Sequence, residues 1–91
     1  MKPTRNSPDA ETLALGALAW LASADDELSR FVGESGIGPN ELRERATEAE
    51  VLGAVLDFVL GDDKRLLAFC EAEGLEPRQI HLARHALGRR G

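Results

Sequence analysis

Apolar residues recur at helical spacing along the whole chain, and helix-breaking residues divide them into six segments. Ser7, Pro8 and Asp9 are typical of a helix start, because a hydroxyl caps the helix, proline suits its first position and an acid favours the positive end of its dipole. The predicted helices cover approximately residues 8–23, 26–35, 39–46, 48–60, 63–73 and 77–87.

Turn chemistry supports these divisions. Gly36 and Gly74 are each followed by an apolar residue, which is typical of a helix that ends on a left-handed glycine. Ser23 or Asp25 is expected to cap helix two. Residues 47–50, Thr-Glu-Ala-Glu, fit a capping box at the start of helix four.

The two halves of the chain align at one constant offset, and we call two residues matched by this offset repeat equivalents. The matched residues have structural roles in capping, in turns or in packing, so the repeat indicates architecture rather than chemistry. The matched pairs are Leu18 with Leu56, Trp20 with Phe58, Leu21 with Val59, Asp25 with Asp63, Leu28 with Leu66, Phe31 with Phe69, Gly36 with Gly74, Ile37 with Leu75, Pro39 with Pro77, and Leu42 with Ile80.

Helices one and four are apolar on nearly all sides, which is typical of buried helices. We therefore expect an all-α fold: a compact bundle of about six short helices, built as two pseudo-symmetric three-helix units around this central pair. If the pair is not fully covered, Leu15, Trp20 and Leu60 would form an apolar surface for a partner or a second copy. For Trp20 a core position is favoured over this surface, because its repeat equivalent is Phe58.

The chain has 91 residues, 43% hydrophobic and 30% charged, which fits one globular domain over residues 1–91. Residues 1–6 are expected to be disordered, and residues 88–91 to form a frayed tail. The longest apolar stretches are near ten residues, too short to span a bilayer. Residues 13–22 could be the apolar part of a signal peptide, but the acids before them and their counterpart inside the chain disfavour it. With a single cysteine, a cytoplasmic location is expected.

The net charge is −5, divided into −9 over residues 25–76 and +4 over residues 77–91. Cys70, Gly74 and Ile80 have the spacing of a helix-turn-helix motif, with helix 77–87 as the reading helix. The acidic body and the same spacing in the first half count against this hypothesis. The possible nucleic-acid-binding residues are Arg78, Gln79, His81, Arg84 and His85.

Other candidate chemistry is weak. His81 and His85 have the spacing of half a metal site, but a zinc site needs further ligands. Cys70 occupies a predicted core position, which favours a buried thiol over a nucleophile. The paired acids at 25–26 and 62–63 stand at helix starts, where capping explains them. We therefore expect no catalytic residue, no metal site and no cofactor.

A resemblance to a known family rests on motifs spread over about residues 9–87. These motifs are the apolar segment 13–20, Phe31, residues 36–39 (Gly-Ile-Gly-Pro), 42–43 (Leu-Arg), 55–60 (Val-Leu-Asp-Phe-Val-Leu), 66–69 (Leu-Leu-Ala-Phe) and 74–77 (Gly-Leu-Glu-Pro). The chain is similar to a group of short bacterial proteins called domain of unknown function three-five-seven-two. The resemblance implies an all-helical bacterial cytosolic protein, and it implies no activity, cofactor or site residue.

The sequence favours a non-enzymatic protein–protein interaction module. It would bind a protein partner, or itself, through the apolar surfaces of helices one and four or through a groove between the two units. The alternative is a small DNA-binding regulator that uses helix 77–87. An enzyme is the least favoured class, because no convergent group of polar residues is visible. A membrane partner is not expected.

Overall fold

The computed structural model describes residues 9–24 and 26–88. Within these ranges the chain forms six α-helices and no strand, which confirms the all-α prediction. The helices are α1 (Ala10–Ser23), α2 (Glu27–Ser35), α3 (Pro39–Glu44), α4 (Ala49–Leu60), α5 (Asp63–Glu73) and α6 (Pro77–Ala86). Residues 1–6, and residues 89–91 of the predicted frayed tail, lie outside the described part. No described helix has the length and apolarity needed to cross a bilayer.

Helix α1 begins two residues later than predicted. Its N-cap is Asp9, whose Oδ1 accepts the backbone N–H of Thr12 at 2.8 Å. This hydrogen bond lowers the pKa of the Asp9 carboxyl below its ordinary value, because it favours the charged form. The predicted cap and first residue, Ser7 and Pro8, lie outside the described residues.

The caps of α2 and α4 also differ from the prediction. The N-cap residue of α2 is Asp26, and its side chain makes no cap hydrogen bond, so Ser23 does not cap this helix. The Ser23 hydroxyl instead donates to the backbone carbonyl of Trp20 at 2.8 Å, and the other candidate, Asp25, lies outside the described residues. At α4 the N-cap is Glu48 and not the threonine before it, so the predicted capping box is wrong. The carboxylates of Glu48 and Glu50 instead accept hydrogen bonds from Arg45 at 2.7 and 3.1 Å.

The central pair predicted from the sequence is confirmed, because α1 packs more extensively against α4 than any other two helices of the described chain pack together. Ala14 and Ala17 of α1 are fully buried. On α4, Val55, Leu56 and Val59 are fully buried as well. The four other helices lie around this pair.

Two aromatic contacts join the halves of the chain. Trp20 contacts Phe69 with ring centroids 5.4 Å apart, and Phe31 contacts Phe58 at the same centroid distance of 5.4 Å. Trp20 is the repeat equivalent of Phe58, and Phe31 is the repeat equivalent of Phe69. The two contacts are therefore equivalent under the repeat. Each contact therefore links an aromatic residue of one half to an aromatic residue of the other.

The third helices of the two halves pack differently. Helix α6 packs against α1, α4 and α5, whereas α3 makes no comparably extensive contact with any helix of the described chain. The prediction of two pseudo-symmetric three-helix units is therefore not confirmed. The two halves have corresponding structures as far as the left-handed glycines, Gly36 at φ 78° and Gly74 at φ 69°. They differ at the helix after each glycine, α3 in the first half and α6 in the second.

Arg65 joins α5 to both α2 and α4. Its Nε donates to Glu27 Oε1 at 2.7 Å, and its Nη1 donates to the backbone carbonyl of Phe58 at 3.2 Å. The guanidinium also lies 3.9 Å from the centroid of the Phe58 ring. Glu27 and Arg65 are repeat equivalents, so the bridge joins matching positions of the two halves.

We predict opposite effects from alanine at two glycines of the α2 region. Gly36→Ala should lower the free energy of unfolding by about 1–2 kcal/mol, because its positive φ is strained for a side chain while its surroundings are open. Gly33→Ala, in the exposed interior of α2, should raise stability by about 0.5–1 kcal/mol. Urea denaturation followed by circular dichroism measures both; equal effects would contradict the left-handed helix end.

We also predict that Arg65→Ala lowers the free energy of unfolding by about 2 kcal/mol, because it removes a partly buried ion pair with Glu27 and a cation–π contact with Phe58. The matched control is Lys64→Ala, which keeps the backbone bond to Asp62 and should change stability by less than about 0.5 kcal/mol. Urea denaturation measures the free energy of unfolding of both variants. An equal loss in the two variants would show that the Arg65 contacts are not stabilising.

Candidate interaction cleft

An apolar cleft of about 500 Å³ lies between α1, α2 and α3. Helix α1 contributes Leu18 and Ala22, and α2 contributes Leu28, Ser29 and Val32. Pro39, Leu42 and Arg43 come from α3, and Ala46 comes from the turn after it. Of these side chains, only those of Ser29 and Arg43 are polar, so the interior of the cleft is apolar.

The cleft is open because α3 lacks the anchors that hold α6. Ile80 and Ala83 of α6 are buried, but their repeat equivalents on the α3 side are Leu42 and Arg45. Leu42 is buried, while Arg45 is charged and pairs with Glu41 at 2.6 Å at the end of the short helix. Helix α3 is therefore fixed to the body at a single apolar position.

A second anchor is also missing from the first half. Arg84 of α6 donates to the two carboxylate oxygens of Asp57 on α4, from Nε at 2.7 Å and from Nη2 at 3.2 Å. The repeat equivalents of these two residues are Ala46 and Ala19, which cannot form an ion pair. The bridge that holds α6 against α4 therefore has no counterpart that would hold α3 against α1.

The corresponding surface of the second half is covered. Leu56, Leu66 and Cys70 are all buried on α4 and α5, two of the helices against which α6 packs. Their repeat equivalents in the first half, Leu18, Leu28 and Val32, are only half-buried and line the cleft. The same type of apolar surface is thus enclosed by a helix in one half of the chain and open in the other.

Among the residues that the structure describes, Arg43 is the one charged residue that lines the cleft. Its side chain is exposed, and it forms no ion pair with any residue that the structure describes. Three other arginines, at positions 45, 65 and 84, are all engaged by carboxylates. A guanidinium beside an apolar cleft is suited to bind a carboxylate.

The apolar surface predicted from the sequence does not coincide with this cleft. Leu15, Trp20 and Leu60 are each half-buried and pack against the core, and none of them lines the cleft. The groove predicted from the sequence lies between the two units, whereas this cleft lies within the first unit. A difference between the repeats could have indicated the cleft, because Arg45 in the first half is the repeat equivalent of the apolar Ala83 on α6.

The five possible nucleic-acid-binding residues have different environments. Arg78, His81 and His85 are exposed on α6. The side-chain oxygen of Gln79 accepts the backbone N–H of Glu76 at 2.9 Å at the start of the helix. Arg84 is half-buried and is held by Asp57 and by the backbone carbonyl of Gly88 at 3.0 Å, so its guanidinium is engaged within the fold.

Cys70 is buried at 5% exposure, as predicted. Burial raises the pKa of its thiol, because desolvation disfavours the thiolate. Within the described ranges, no group of three or more His, Cys, Asp or Glu residues could hold a metal ion. At the start of α5, Asp62 caps the helix as predicted, since its side chain accepts hydrogen bonds from the backbone N–H groups of Lys64 and Arg65. These bonds, chiefly the one from Arg65, lower the pKa of the Asp62 carboxyl.

We predict that Cys70 reacts with an aromatic disulfide reagent at neutral pH only as fast as the protein opens, because the thiol is buried and its pKa is raised. Denaturant should make the reaction immediate. As a control, Ser29→Cys in a Cys70→Ala background should react at once in the native protein, since Ser29 is exposed. A fast reaction of native Cys70 would contradict its burial.

Comparison with known proteins gives one family. A search of curated proteins and a search of solved structures found no match to this chain. A family profile described as "Protein of unknown function (DUF3572)" matches residues 7–90, which is nearly the whole chain. The match agrees with the resemblance drawn from the sequence motifs. The chain therefore belongs to the DUF3572 family.

Proposed function

We propose that this protein is a non-enzymatic, cytoplasmic interaction module that binds a helix of a partner protein in the cleft between α1, α2 and α3. The observation that carries the proposal is the open apolar cleft itself, with Leu18, Leu28 and Val32 only half-buried along it. Apolar surface left open to water favours association, and an apolar groove between helices is a common site for an amphipathic helix.

The chemistry of the lining supports binding rather than catalysis. Among the lining residues that the structure describes, Ser29 has the only hydroxyl, and none is a histidine, an acid or a lysine that could activate it as a base. Arg43 can hold an anion but cannot exchange protons at neutral pH. The lining therefore provides apolar contacts and one charge, which are the components of a recognition site.

The proposal is tested by a photo-crosslinking amino acid placed at Ser29, inside the cleft, and in a separate variant at Leu67. Leu67 is the repeat equivalent of Ser29 and is 58% exposed on α5, so it is a matched control outside the cleft. In cells of the source organism, we expect Ser29 to give an adduct with one defined protein, identified by mass spectrometry, that Leu67 does not give.

The identified protein, once purified, should bind the wild-type chain and the Leu67→Trp variant. It should bind the Ser29→Trp variant at least tenfold more weakly, because an indole at this position fills the cleft; this is on the order of 1.4 kcal/mol. Equal adducts from both positions, or binding unaffected by Ser29→Trp, would refute the proposal. An adduct between two copies of this chain would also refute it and would assign the cleft to self-association.

A further inference from the structure

We infer that the occupant of the cleft is an amphipathic helix of about three turns that carries an acidic residue beside its apolar stripe, and that this acid binds Arg43. The inference deepens the proposed function and rests on it. Two independent observations lead to it: what covers the corresponding surface in the second half of the chain, and the charge at the mouth of the cleft.

The second half shows what kind of element covers this surface. Leu56, Leu66 and Cys70 are buried on α4 and α5, and α6, a helix of ten residues, packs against both of these helices. The residues that α6 buries, Ile80 and Ala83, are three apart, as on one face of a helix. Because the repeat equivalents that line the cleft present a similar apolar surface, a helix with apolar residues at this spacing fits them.

The size of the cleft fits the same occupant. About 500 Å³ exceeds the space that one side chain fills, and the lining comes from three helices. An occupant that contacts α1, α2 and α3 together must present several apolar groups along its length. A helix with an apolar stripe meets this requirement, because side chains three and four residues apart lie on the same face of a helix.

The charge selects among such helices. Arg43 follows the buried Leu42 on α3, lines the cleft and has no ion-pair partner among the described residues. A guanidinium pairs most strongly with a carboxylate that accepts two parallel hydrogen bonds from it. A helix with Asp or Glu next to its stripe gains this bond, while one with Lys or Arg there meets repulsion. The corresponding position in the second half is His81.

The test is a selection from a displayed library of helical peptides, randomised at and beside an apolar stripe, on the immobilised full-length protein. On the wild type we expect enriched peptides to carry Asp or Glu at one position next to the stripe. On Arg43→Glu, an exposed substitution, we expect Lys or Arg at that position instead. Circular dichroism of each variant verifies the fold.

One selected peptide then provides the affinity measurement. Changing its acid to Gln should weaken binding to the wild type about fivefold, as expected for a partly exposed ion pair. Both peptides should bind Arg43→Ala equally. Binding should be lost on Ser29→Trp and kept on Leu67→Trp, which shows that the peptide occupies the cleft.

The outcomes separate the two claims. The inference would be overturned if the enriched peptides bind in the open cleft but show no charge preference. It would also be overturned if they show the same preference on Arg43→Glu as on the wild type. Either result would leave the proposed function standing. Peptides that bind equally to wild type and Ser29→Trp, or a selection with no enrichment, would overturn both.

Discussion

The packing of α1 against α4 is the constraint on which the rest of the structure depends. Ala14, Ala17 and Leu21 of α1 and Val59 of α4 are fully buried in the same core. Each large apolar side chain buried in this way contributes about 1.5–3 kcal/mol relative to exposure. Helices α2 and α6 each pack against both members of the pair, and α5 packs against α4. Among the described helices, α3 is the one that does not pack extensively against α1 or α4, so weaker interactions determine its position.

The position of α3 follows from a small number of side chains. Helix α6 is held by a buried alanine at position 83 and by the bridge from Arg84 to Asp57, whereas the corresponding first-half residues are an arginine and two alanines. The carboxylates around Arg45 fix it beside Glu41 and Glu48, at the junction of α3 and α4. The cleft is therefore held open by an ion-pair network on one side and by missing contacts on the other.

The sequence predicted those features that depend on local chemistry or on periodicity. Gly36 and Gly74 end helices where expected, Pro39 and Pro77 begin them, and the central apolar pair is the one inferred. The caps were less predictable, because the side chain of an acid such as Glu48 can cap a helix or pair with an arginine three residues before it, and the sequence does not determine which. The cleft was missed for a different reason: the distance between α3 and the pair is tertiary, and the apolar pattern of Leu42 alone does not determine it.

The arginines show why counting charges along a chain says little about its surface. The C-terminal segment has a net charge of +4, but the charge of Arg84 is paired with that of Asp57 on α4. Arg65 is 8% exposed and serves to join three helices. Arg43 lies in an acidic stretch, where its charge is outnumbered in the sequence, yet no carboxylate of the described residues pairs with it. An arginine that is left unpaired beside an apolar cleft, in a protein with many acids, retains its full capacity to bind a carboxylate from another molecule.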